Sequence, residues 1–399
     1  MKKVLIILLK SLAAVLLLAL TVTIAFSFSP IFRFEEPKAF SGPDIFNPYR
    51  HLDTSLGWKR ANFHTHTRVK GPFNECPYWP DTVYSDYLKM GYDIVTFSNH
   101  NKLTTHPYDT ALQVNVYEHG YNLFKFHKLV FGANKVRRID HIVPLFPSEK
   151  QFQIDMLAKG SDFLILNHPD RTNFTTKRCM QKLTGYRLME GDSGVNTEFL
   201  HWDEALSAGH YSFGIANDDN HDSRRHDRFA RRCSFLNCEG TDYKAIRSTL
   251  LDGCFYSMRV PDFGDGDWEE KYRENATLPR VDTIGLDGTD IFLALSEPAE
   301  YIKVIGQDHA TLDSVVNTAS ICYGMKDEDS YARISAFFPD GTVIYTQPFA
   351  RFDASSAESP YRVSPHNISV AGTLFYNLAV LVALLLCCFL FYKLLWRRD

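Results

Sequence analysis

Two apolar runs, one near each end of the 399 residues, constrain this chain more than anything between them. Val4 to Phe28 is interrupted by Lys10 and Ser11, and Leu374 to Tyr392 is almost wholly apolar. A helix needs about 20 apolar residues to cross a bilayer. The first run is longer than a signal core of about 7–15 residues and shows no small-x-small cleavage site, so it reads as an uncleaved anchor. The second is too long and too apolar for a buried core helix and ends in a basic stop, Lys393, Arg397 and Arg398. With Lys2 and Lys3 before the first run, the positive-inside rule puts both termini in the cytoplasm and residues 29–372 outside it. In that oxidising compartment Cys76, Cys179, Cys233, Cys238, Cys254 and Cys322 could pair.

Between the runs, residues 29–57 are rich in Pro and Phe and read as a stalk. The next 200 residues alternate strand and helix signals. Expected strands are Trp58–Phe63, Asp93–Phe97, Leu123–Phe131, Phe163–Leu166, Arg187–Met189 and Phe213–Ala216. Expected helices are Thr82–Met90 (with Asp81 as its cap), Glu149–Lys159, Trp202–Ala208 and Tyr243–Asp252. Repeated strand–loop–helix units predict a parallel sheet covered by helices. Residues 280–350 change character: Val281–Leu286, Ile291–Leu295, Tyr301–Ile305, Tyr331–Phe337 and Thr342–Thr346 read as short strands, which with Pro339-Asp340-Gly341 as a hairpin turn predict a small β-sandwich-like module. Residues 351–373 read as a linker to the second span at 374–392.

The chemistry starts at Phe63-His64-Thr65-His66-Thr67. Alternate side chains of a strand share a face, so His64 and His66 would converge as half of a metal site. Candidate partners follow: His100, Glu118, His127, His168, Glu190, Asp219 and His221, each near an apolar run or a turn. A lone His-x-His is more often a pair of loop histidines; the supply of partners reverses that balance.

This ordered set resembles the polymerase and histidinol phosphatase (PHP) family of metal-dependent phosphoesterases over about Trp58 to Pro261. The specific parts are His-Thr-His-Thr, Gly91 to Asn101, Asn167-His168-Pro169 and Asp219-Asn220-His221. The chain departs at Ser98-Asn99-His100, where the family usually has Thr-Asp-His. The resemblance implies a distorted seven-stranded TIM-like (β/α) barrel over 58–262 with up to three divalent ions. It groups His64, His66, Glu118 and Asp219; Glu118, His127 and His168; and His100 with His221. A His/carboxylate set suits zinc, manganese or iron and not calcium. Glu118 would bridge, and Glu118, Arg171 and His221 stand as the catalytic candidates, Arg171 to fork a phosphoryl group.

Several positions stay open. His141 rivals His127, Asp218 rivals Asp219, and Asp81 or Glu75 could complete the third group. Glu190 could support the site or be a solvated loop carboxylate. Of Arg224, Arg225, Arg228, Arg231 and Arg232, most read as a solvated face paired with Asp222 and Asp227, and Asp262–Glu270 reads as an acidic loop. A net charge of −4 argues against general nucleic-acid binding. The expectation is a membrane-anchored phosphoesterase acting through a metal-activated hydroxide on a small phosphorylated or ester substrate. A carboxylic or carbamate ester hydrolase on the same site is the alternative, and a non-catalytic metal-binding surface protein is the rival class.

Overall fold

The computed structural model describes residues 2–71, 74–192, 199–261 and 266–396. Helices Lys2–Ala25 and Val370–Trp396 pack against one another. Over Val4–Ala25 and Val370–Leu394 they are long and apolar enough to cross a membrane, with 0% and 11% of the span windows buried. Side chains this exposed do not belong to a core helix. Ser29 N donates to Asn377 Oδ1 (3.1 Å) and Ile31 N to Thr373 Oγ1 (2.9 Å), tying the exit of the first helix to the second. Strand Phe32–Phe34 then pairs with His366–Ile368, so the stalk and the linker run together. Of the basic flank, Arg397 and Arg398 lie outside the described residues.

Two sheets make up the rest. One has five strands in the order Val116–His119, Lys128–Phe131, Phe163–Leu166, Leu188–Asp192, Phe213–Ala216. The other runs from Val281–Asp287 through Asp290–Ile305, Tyr331–Phe337, Val343–Tyr345, Phe255–Arg259, Arg232–Leu236 and Lys59–Asn62 to Ile94–Val95. Isolated parallel bridges, His100 to Glu118 and Thr65 to Asn220, stitch the two sheets together where the candidate ligands lie.

The sheets are mixed rather than parallel throughout. Val116–His119 pairs antiparallel with Lys128–Phe131, because eight residues cannot make a parallel crossover. Lys128–Phe131 is in turn antiparallel to Phe163–Leu166. This reversal matters to the site. His127 precedes its strand instead of lying within it, and the start of that strand faces the end of Val116–His119.

Other departures are local. The Pro80–Lys89 helix starts after Trp79, whose side chain makes no capping hydrogen bond, and Asp81 lies in its first turn instead of capping it, because Pro80 already holds the helical φ. The expected strands at 291–295 and 301–305 are one strand, Asp290–Ile305, paired along its length with Thr311–Gly324, a strand the sequence reading omitted. Arg232–Leu236 and Phe255–Arg259 were omitted too. The acidic stretch becomes helix Trp268–Asn275, capped by Asp267; 262–265 lie outside the described residues. All eight cysteines are free thiols, six of them buried.

Candidate metal centre

His64 and His66 leave the Lys59–Asn62 strand, and three hydrogen bonds fix their backbone. Phe63 N donates to Asn217 Oδ1 (2.8 Å), Thr65 N to Ser98 Oγ (3.0 Å) and Thr67 N to Asn99 Oδ1 (2.8 Å). Asn99 also donates to the Thr67 hydroxyl (2.8 Å). An amide at position 99 therefore has both an acceptor and a donor role that a carboxylate could not fill alone.

Glu118 is the hub. Its Oε2 lies 3.1 Å from each of His64 Nε2, His66 Nε2 and His100 Nε2. Its Oε1 lies 3.1 Å from His127 Nδ1 and 3.3 Å from His168 Nε2, and accepts from Asn167 Nδ2 (2.9 Å). The two oxygens thus face two different sets of histidines. Asp219 Oδ1 closes the first set, 3.1 Å from His64 Nε2 and 3.2 Å from His66 Nε2 and His221 Nε2. Asp219 and His168 are held at positive φ, 49° and 26°, a conformation non-glycine residues adopt at a cost. Gly120 makes room for the second set: a Cβ there would stand 2.4 Å from His127 Cδ2.

Three features fit divalent ions. First, with N–metal and O–metal bonds of about 2.0–2.2 Å, neighbouring ligand atoms on one ion lie about 3.0–3.4 Å apart, the separations seen here. Second, His64 Nε2 and His66 Nε2 are buried and make no hydrogen bond, although carboxylate oxygens stand 3.1–3.2 Å away. Their ring nitrogens converge with those oxygens at ion-pair distance but without the alignment of a hydrogen bond. Third, the charge asks for cations. Burial opposes protonation of His66, yet Asp219 and Glu118 outweigh it and raise its pKa to about 9. Burial likewise opposes His64, and Glu190, Glu118 and Asp219 raise it well above the ordinary value. Despite burial, Glu118 and Asp219 are held well below the carboxylate range by the surrounding histidines, His64 foremost. Burial lowers His100 to about 4 and also lowers His168.

The open positions resolve into distinct places. Glu190 is buried and not solvated: its Oε1 lies 2.8 Å from His64 Nδ1 and accepts from Asn217 Nδ2 (3.0 Å), while Oε2 accepts from His168 N (3.1 Å). It accepts a hydrogen bond from Nδ1–H of His64, which would leave Nε2 as the nitrogen offered to an ion, the arrangement metal-bound histidines usually have. Glu75, about half exposed, brings Oε2 to 3.2 Å from His100 Nε2, 3.5 Å from His66 Nδ1 and 4.0 Å from His221 Nδ1. Asp81 is exposed and accepts from Thr82 N of its own helix. His141 lies against Phe28 O and Gln153, outside the cluster. Asp218 accepts from Tyr87 Oη and from the backbone of Ala230, Arg231 and Arg232, so it is a structural anchor of the turn.

Arg171 NH1 pairs with Asp219 Oδ2 (2.9 Å) at the partly exposed mouth. Of the downstream arginines, Arg224, Arg225 and Arg228 are exposed and pair with Asp86 or Asp227, whereas Arg232 pairs with buried Asp192 and Arg231 donates to Asp227 O.

No protein-family model matches the chain, and no curated protein sequence matches it. Two solved structures are similar. One is a two-domain protein from Bacteroides vulgatus containing a predicted PHP-like metal-dependent phosphoesterase, at 15% identity and a TM-score of 0.37 over 80% of this chain and 92% of that one. The other is a lesion-specific endonuclease from Pyrococcus furiosus, at 12% identity and 0.34 over 49% of this chain and 56% of that one. At these scores neither likeness fixes an activity, and the cluster's own geometry has to carry it.

Proposed function

We propose that the chain is a metal-dependent phosphoesterase of PHP type, held at a membrane by its two apolar helices. The observation that supports this most is the division of Glu118, whose two oxygens face separate histidine sets. His64, His66, Glu118 and Asp219 would hold one ion, and Glu118, His127 and His168 a second. His100 and His221 would hold a third, with Glu75 completing it. Zinc, manganese and iron suit these donors. When bound, such ions acidify a water and offset the charge of a phosphoryl group.

The protein's own groups do the positioning. Glu190 sets the tautomer of His64, Asn167 fixes Oε1 of Glu118, and Asp219 aims the Arg171 guanidinium at the mouth. Arg171 would donate to a non-bridging phosphoryl oxygen. We read the strands from Lys59–Asn62 to Phe213–Ala216 as a distorted seven-stranded barrel over 58–262, with residues 280–350 as an appended β module. Both termini would be cytoplasmic and the metal centre outside.

Metal analysis of the purified full chain, with a panel of phosphoesters and carboxylic or carbamate esters, tests this. Two or more ions per chain and turnover of phosphoesters support it. Preferred turnover of the carboxylic or carbamate esters would move the reading to that class, and a metal-free, inactive chain would leave a binding protein.

A further inference from the structure

Resting on that reading, we propose that the phosphoester attacked is the headgroup of a lipid in the membrane the two helices enter. We infer that the rim between the metal centre and those helices sits in the headgroup layer.

The rim can be followed contact by contact. Tyr376 is six residues into the Val370–Trp396 helix, about 9 Å from its start. Its hydroxyl donates to Glu149 Oε1 (2.7 Å), and its ring lies 6.1 Å from that of Phe146. The Phe146–Glu149 turn is therefore level with the first two turns of an apolar span. Beside it His141 Nε2 meets Phe28 O (3.3 Å), at the exit of the other apolar run. From there Leu123 N donates to Ile142 O (3.0 Å) and Tyr121 N to Asp140 Oδ2 (2.8 Å). Tyr121 stacks on the His100 ring at 5.8 Å. Phe124 stacks on Phe174 at 3.5 Å, and its carbonyl accepts from Thr172, the neighbour of Arg171. One continuous surface thus joins the helix bases to the mouth of the metal centre.

That surface is apolar and basic together. Tyr121, Leu123, Ile139, Leu145, Phe146 and Phe174 are 47–70% exposed. Single exposed apolar residues are ordinary, but six on segments bonded to one another form a patch. The segments 121–125, 138–146 and 171–178 also carry Lys125, Arg138, Arg171, Lys177 and Arg178 with Asp140 as their one acid, while Arg171 pairs with Asp219 and Lys177 with Glu204 from outside them. Asp140 is engaged by Tyr121 N and Asn122. Apolar side chains interleaved with cations, with tyrosines at the boundary, are what a lipid–water interface selects. A lipid phosphate lies at the depth of this rim while its acyl chains stay in the bilayer. In the reaction a water oxygen bonds to phosphorus and the ester P–O bond to the alcohol breaks. One water proton ends on the alcohol oxygen, the other on the phosphate product or solvent.

Two measurements on the full chain in vesicles of mixed neutral and anionic phospholipid test this. The first is the ratio of turnover of vesicle phospholipid to that of a soluble aryl phosphodiester. Leu123→Asp with Phe174→Asp should lower that ratio at least tenfold, while Val316→Asp, exposed on the far sheet, should leave it unchanged. The second places a photo-crosslinking amino acid at Leu123 or Phe174, which should yield lipid adducts, and at Val316, which should not. Turnover of the soluble diester with none of the vesicle lipid, an unchanged ratio, or protein adducts in place of lipid would each overturn the lipid assignment and leave the phosphoesterase reading standing. Failure on both substrates would sink the phosphoesterase reading and the lipid assignment with it.

Discussion

Glu118→Gln puts the most weight on a single atom exchange. The variant keeps the shape of the side chain, removes its charge and turns one oxygen into a donor. Oε1 receives the Asn167 Nδ2 proton at 2.9 Å, so an amide nitrogen there would meet a donor. The amide should therefore turn its nitrogen to the Oε2 side, facing His64, His66 and His100. The first ion loses its shared oxygen outright, and the second keeps a neutral carbonyl. At an effective dielectric of 20, a unit charge about 4 Å from a dication contributes about 8 kcal/mol, and sparing the buried carboxylate its desolvation returns several of those. A net loss of about 3–4 kcal/mol at each of two ions weakens each by roughly 10²–10³-fold. The variant should hold more than one metal equivalent less than the parent and lose nearly all turnover. His100→Ala, serving one ion on this reading, should lose about one equivalent. Metal per chain by elemental analysis and turnover of a soluble phosphodiester are the readouts, with circular dichroism to show that the variant folds. Full metal content and activity in Glu118→Gln would falsify the bridging role and most of the site with it.

Further expectations follow from the same geometry. His127→Ala should lower bound metal and His141→Ala leave it unchanged, since His141 lies against Phe28 and Gln153; the reverse result would mean the second histidine set is misassigned. Glu190→Gln should weaken metal affinity about 10–100-fold without changing the number of ions at saturation, because it orients His64 and is not itself counted as a ligand; an unchanged dissociation constant would contradict that. His66 in the metal-free chain is raised to about 9, so below that pH a proton competes with the ion and above it does not. Metal affinity should accordingly rise with pH up to about 9, and calorimetry at pH 7.5 in two buffers should record proton release; binding without release would contradict the charge argument. Tags at Met1 and Asp399 should be protected from protease in intact cells while the central domain is cleaved, and a protected domain would invert the topology.

What was legible in the sequence was whatever carries a period or a spacing. Phe163–Leu166, Phe213–Ala216, Tyr243–Asp252 and Tyr331–Phe337 stand where their apolar runs put them. The two terminal runs are helices for the same reason. Direction was not legible. A strand's residues say which side chains alternate and not which way the chain runs, so the reversal at Lys128–Phe131 was hidden behind an expected parallel repeat. The extent of Asp290–Ile305 was hidden differently. Its register shifts between Ala294 and Ala299, and Ser296-Glu297-Pro298 at that shift reads as a break in the alternation. Thr311–Gly324 was missed because its exposed residues offer no buried face to make a pattern.

The site divides along the same line. His64, His66, His100, Glu118, His127, His168, Asp219 and His221 come from six separate stretches of chain, and the structure brings them around two carboxylates. Motif spacing pointed to each because the ends of strands, and here the start of one, fix where a side chain projects. The sequence offers Glu75 and Glu190 as candidates but leaves their roles open. Glu190 was visible at a strand end, but its partner, Nδ1 of His64, comes from 126 residues earlier in the chain. Glu75 lies in an irregular segment between the first motif and the Pro80–Lys89 helix, where neither period nor cap constrains position. Its carboxylate is the most exposed of those around the histidines, and it reaches three of them from the solvent side. On the proposed three-ion reading, a group placed there would complete the third ion's ligands from the solvent side, a role that does not need the fixed direction of a strand.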